Sequence, residues 1–184
     1  AHYLEHKMFD TADGNAMQEM AKNGAEPNAF TSNAMTAYYF DCTEHFDENL
    51  RQLLSFVSMP YFTDESVAKE QGIIAQEIGM IEDDPDWVVF MDLMQALYEK
   101  HPVRVSVAGS AESISHITAE TLYACHKAFY DPSNMVLCVA GDVDPEKICQ
   151  AAREILPERP GAPVARGDYG AQEPAEVCQP MIQR

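Results

Sequence analysis

Helix-type and strand-type hydrophobic patterns are interleaved along this chain without a regular strand–helix–strand rhythm, and that order constrains the fold more than any other feature. Residues 2–9 (HYLEHKMF) and 16–23 (AMQEMAKN) read as two short helices joined by DTADGN, a turn rich in Asp, Gly and Asn. Residues 27–31 and 35–42 carry the Thr, Tyr and Phe expected of two strands, with Ser32-Asn33 near the turn of a hairpin. A helix is predicted over 47–59, where Leu50, Leu53, Leu54 and Val57 share one face until Pro60 stops it. Another is predicted over 63–82, with Thr63 as N-cap and acidic residues in its first turn. Further helices are read at 87–98, 118–129 and 145–155, and the nearly all-apolar MVLCVA at 135–140 reads as a strand buried on both faces. The pattern predicts an α+β domain, a mixed but mainly antiparallel sheet packed by helices.

A length of 184 residues fits one such domain. Beyond Pro157 the composition turns to Pro, Gly, Ala and Glu, so residues 1–157 are read as the domain and 158–184 as a linker and the start of a following segment. The net charge of −18, with only twelve Lys and Arg, argues against nucleic acid as a partner, because phosphate binding depends on clustered cations. No apolar run approaches the eighteen or more residues of a membrane span, so no membrane association is expected. The five cysteines are odd in number and contain no C-x-x-C pair. They read as reduced, mostly buried thiols, which favours a cytoplasmic location. The chain opens on Ala1 with a dense motif at its second residue, and it is read as a fragment of a longer protein.

That motif is His2-Tyr3-Leu4-Glu5-His6. Two imidazoles four residues apart stand about 40° apart around an α-helix, so both can meet one metal ion from a single face. Glu5 lies on the neighbouring face. The order H-x-x-E-H inverts the common zincin pattern and is the inverzincin arrangement. A zinc site open for catalysis takes three protein ligands and leaves one position for water, so a third ligand is required. Glu70 and Glu77 are the candidates, seven residues apart on one helix and therefore on one face. His45, His101, His116 and His126 have no comparable partners in sequence and read as surface or core histidines, and Trp87 and Met91 read as packing residues.

The combination of H-x-x-E-H at 2–6, Asn28-Ala29-Phe30-Thr31, and Glu70 and Glu77 within KEQGIIAQEI resembles the pitrilysin (insulinase) family, which includes mitochondrial processing peptidase and bacterial relatives. The later segments HPVRVSVAGSAESISHIT and YDPSNMVLCVAGDVD extend the likeness to about Leu156. The resemblance implies that His2, His6 and Glu77 ligate Zn2+ and that Glu70 is a supporting carboxylate that orients or polarises the site. It also implies that the strand at Asn28, Ala29, Phe30 and Thr31 is an exposed edge on which a peptide substrate adds as a further strand. The family encloses its substrate between two such halves, so a second homologous domain or subunit is an expected partner.

The expected function is a zinc-dependent endopeptidase acting on peptides or unfolded segments, with Glu5 as general base toward a metal-activated water. The competing expectation is a noncatalytic scaffold or partner subunit of a two-chain assembly. Relatives of that kind usually have a degraded metal motif, whereas this one is intact. A purely structural zinc would leave Glu5 without a task.

Overall fold

The computed structural model describes residues 1–157 and 177–182. It begins with α1 (His2–Met8), seven residues with no side-chain cap at the N-terminus. So short a helix is not stable alone. Burial of Tyr3, Leu4, Met8 and the following Phe9 holds it in place. The predicted DTADGN turn is a tight hairpin of β1 (Asp10–Thr11) and β2 (Gly14–Asn15), paired Asp10↔Asn15 and Thr11↔Gly14. Its tightness requires glycine at 14, where φ is +136°. Asn15 then caps α2 (Ala16–Lys22), its Oδ1 accepting the amide of Gln18 at 3.3 Å.

β3 (Ala25–Thr31) and β4 (Thr36–Cys42) form a second antiparallel hairpin, in register from Ala25↔Cys42 to Thr31↔Thr36. The Ser32 amide donates to the Met35 carbonyl at 2.8 Å and closes the turn. That bond sets the ladder phase, so the main-chain groups of Pro27, Ala29 and Thr31 face away from β4. Pro27, which has no N–H, fits such an edge. Among the described residues no strand pairs with that side of β3.

Helices α3 (Phe46–Ser58), α4 (Asp64–Glu82), α5 (Pro85–Leu97), α6 (Ala111–Ser115), α7 (Ala119–Phe129) and α8 (Pro145–Ile155) complete the α+β domain. α4 starts where Thr63 predicts, in a reciprocal cap in which Thr63 Oγ1 accepts the Ser66 amide at 3.2 Å. It buries Val67, Ile74 and Ile78, spaced seven and four apart, against Leu4, Phe56, Ile114 and Leu122 of the main core. α3 faces two ways. Phe56 and Val57 enter that core, while Leu50 and Leu54 pack on Ala151 of α8.

Two expectations are corrected. Residues 135–140 form no strand, and Val136 is 94% exposed. Apolar character alone does not make a strand; a neighbouring strand must take up its N–H and C=O groups, and none among the described residues does. All five cysteines are free, but Cys138, Cys149 and Cys178 are exposed and only Cys42 and Cys125 are partly covered. Cys138 is exposed because it sits in that unpaired run. Most of the linker assigned to 158–184 lies outside the described residues, although Cys178 and Gln179 amides donate to the Ala96 carbonyl at 2.8 and 3.3 Å. No helix among the described residues is long and apolar enough to cross a membrane.

Candidate metal centre

Two helices far apart in sequence supply the site. α1 lies on α4, fixed by the Tyr3 hydroxyl donating to the Val67 carbonyl at 2.6 Å. Leu4 and Met8 are buried on one side of α1, and the four-residue spacing leaves His2 and His6 together on another. Their Nε2 atoms are 3.3 Å apart. Glu77 reaches both from α4, with Oε1 3.3 Å from His2 Nε2 and Oε2 3.3 Å from His6 Nε2. One ligand-type atom from each of the three residues lies within 4.8 Å of the others. Ligands about 2.0–2.1 Å from a tetrahedral zinc stand about 3.3–3.4 Å from one another, so the spacing and donor types fit such an ion.

Glu70, two turns before Glu77, stands behind His6. His6 Nδ1 is 3.1 Å from Glu70 Oε1. With a carboxylate acceptor there, Nδ1 carries the proton and the neutral ring presents an Nε2 lone pair toward His2 and Glu77. This hydrogen bond raises the pKa of His6 above its ordinary value, against the effect of burial. The same bond, helped by the charge of Lys7, holds Glu70 below the usual carboxylate range. His2 moves the other way, its pKa lowered mainly by burial although Glu77 opposes this. Two lone-pair nitrogens and a carboxylate converging on one point repel each other unless a cation stands between them.

Glu5 projects toward the same cleft and is 8% exposed. The Thr31 hydroxyl donates to Glu5 Oε2 and lies 3.1 Å from the Thr36 hydroxyl across the hairpin. Of the four β3 residues singled out in the sequence, Ala29 and Thr31 thus turn toward the site. Asn28 is exposed, and its Oδ1 accepts the Ala29 amide at 2.8 Å. Phe30 is 45% exposed and stacks edge-on with Tyr39 at the mouth. The open cleft has a volume of about 420 Å³. Ile81, Trp87, Val107 and Ala108 complete its wall. Trp87 was expected only to pack, and Val107 and Ala108 lie in the segment HPVRVSVAGSAESISHIT, which carried the family likeness but no expected role at the site. Met91 is buried as expected, and His126 is a core histidine whose Nε2 lies 2.9 Å from the Val57 carbonyl.

The family model described as Insulinase (Peptidase family M16) matches residues 1–111, which contain all the candidate site residues. A second model, Peptidase M16 inactive domain, matches residues 116–182. The fold and donor set therefore fall in the class of metallopeptidase-like half-domains, and the chain belongs to the insulinase (M16) family. It is 50% identical over 160 residues to YmfH of Bacillus subtilis (strain 168), named an uncharacterized zinc protease, covering 87% of this chain and 37% of that protein. It is 27% identical over 183 residues to a probable mitochondrial-processing peptidase subunit beta of Arabidopsis thaliana, covering 95% of this chain and 34% of that one. A crystal structure described as an M16-like peptidase from Alicyclobacillus acidocaldarius superposes with a TM-score of 0.85 at 40% identity, covering 97% of this chain and 42% of that one. The chain thus spans about two fifths of the length of the relatives it matches.

Proposed function

We propose that the protein carrying this chain is a zinc-dependent endopeptidase of peptides or unfolded polypeptide segments, with His2, His6 and Glu77 holding the metal. The observation that carries this reading is the convergence of His2, His6 and Glu77 at 3.3 Å spacings with Glu5 facing the same cleft. Zinc, when bound, supplies a Lewis acid and a water of lowered pKa. Glu5 takes a proton from the attacking water and returns it to the departing amine, and Thr31 keeps its carboxylate aimed. Glu70 orients His6. A peptide adds to the outer edge of β3, where Ala29 and Thr31 offer main-chain groups and the Asn28 side chain must first give up the Ala29 amide. The remaining three fifths of a relative's length leave room for a second homologous half that closes over the cleft.

The test is the metal content of the purified full-length protein together with a mixed-peptide digest. Glu5→Gln keeps the shape and removes the base, so hydrolysis should drop by orders of magnitude with zinc retained. Unchanged turnover would point to another base, and loss of zinc would make Glu5 a ligand.

A further inference from the structure

Lys7 follows the second histidine of the motif, yet its side chain is only 2% exposed. An ammonium group is rarely taken out of water, because its desolvation must be matched by close anionic partners. A Met or Leu at this position would fill similar volume without that cost. The charge therefore needs a purpose.

Its surroundings supply one. The Lys7 Nζ is ion-paired with Asp10, on the short hairpin that follows α1, and lies 3.9 Å from Glu70 Oε2. Glu70 Oε1, the other oxygen of that carboxylate, is the one 3.1 Å from His6 Nδ1. One carboxylate thus spans two partners: the lysine ammonium near one oxygen, the imidazole N–H on the other. Asp10 ties the lysine from the far side, so Lys7 cannot swing to solvent without leaving two carboxylates behind it.

We infer that Lys7 is a positioning residue of the metal site: its ammonium fixes the Glu70 carboxylate in the orientation that accepts the His6 Nδ1–H, and so directs His6 Nε2 toward Glu77 and His2. The inference rests on the zinc reading given above. Lys7 touches neither the metal position nor the cleft and acts only through Glu70.

The experiment is a double-mutant cycle in the full-length protein with Lys7→Met, Glu70→Gln and both together, read by zinc affinity in competition with a chromophoric chelator and by the absorption spectrum of the cobalt-substituted protein. Circular dichroism establishes that each variant is folded. Loss of an outer partner of a metal-bound histidine weakens binding about 10–100-fold, and Lys7→Met is expected near the lower end, about tenfold, with a shifted cobalt band. In the Glu70→Gln background the same substitution should change affinity by less than about twofold. If Lys7→Met does not fold, Lys7→Gln, which keeps a donor for Asp10 but removes the charge, carries the same expectation. Wild-type affinity and cobalt spectrum in the folded lysine variant would overturn the inference alone. So would an equal tenfold loss with Glu70 already replaced, since the lysine would then act on the fold rather than through that carboxylate. Absence of zinc binding by the unaltered protein would instead remove the zinc reading, and this inference with it.

Discussion

Replacing Tyr3 with Phe removes one hydroxyl from the contact between α1 and α4 and leaves the ring to pack as before. Tyr3 is 3% exposed, and its hydroxyl donates to Val67 at 2.6 Å. Val67 lies inside α4, where its carbonyl also faces the helical N–H four residues on, so the substitution leaves no orphaned acceptor. The cost should therefore be that of one net hydrogen bond, about 0.5–1.5 kcal/mol, without the larger penalty of an unsatisfied group. Burial, aided by the charge of Glu70, pushes the Tyr3 hydroxyl from 10.0 to about 12. A folded-state pKa raised above the unfolded one contributes stability that is complete below the unfolded value and is lost as pH rises through the folded value. Phe has no such titration. Urea unfolding of both proteins should show a constant gap up to about pH 10 and a narrowing gap from there to about 12. No gap at pH 8, or a gap that widens between pH 10 and 12, would refute the reasoning.

Thr31→Val keeps shape and removes the donor to Glu5; a hydrogen bond to a charged group is worth about 1.5–3 kcal/mol, so peptide hydrolysis should fall at least about tenfold while zinc content stays constant. Ile74→Ala empties a fully buried position on α4 and should cost about 2–5 kcal/mol in chemical denaturation, with a midpoint shift as the readout. Residues 1–184 alone, supplied with zinc, should cleave a fluorogenic peptide poorly, and the full-length protein at equal zinc occupancy should be at least about a hundredfold faster, the order lost with one oxyanion donor. Equal rates would show that a facing half is dispensable.

Spacing within a helix was legible in the sequence because the helical period turns residue number into direction. Two histidines four apart, and two glutamates seven apart, had to share faces once helices formed around them. Thr63 announced the start of α4, and the hairpin of β3 and β4 followed from its aromatic and β-branched residues. Contacts between elements were legible only where the family resemblance supplied them, as for Glu77 with the two histidines. Nothing in the sequence singled out Lys7, and only the packing of β1 and α4 around α1 removes it from water. Val107 and Ala108 reach the cleft from outside any helix or strand, so no periodic pattern assigns them a side. The run 135–140 shows the converse: its composition is that of a buried strand, but burial is conferred by neighbours, and composition cannot supply them.

The seven-residue α1 carries both histidines, the glutamate between them and the buried lysine, yet it has too few turns and no cap to persist outside the fold. If these residues hold zinc as proposed, metal affinity and folding are one equilibrium. An unfolded chain retains the donors without their geometry, so on the zinc reading proposed above the ion would bind the native state in preference and stabilise it by mass action. Free zinc a hundredfold above the dissociation constant would add about 2.7 kcal/mol, and a chelator would withdraw it. Heat stability measured against zinc concentration then becomes a gauge of how tightly α1 is docked, one that needs no substrate and reads the site through the melting of the whole domain.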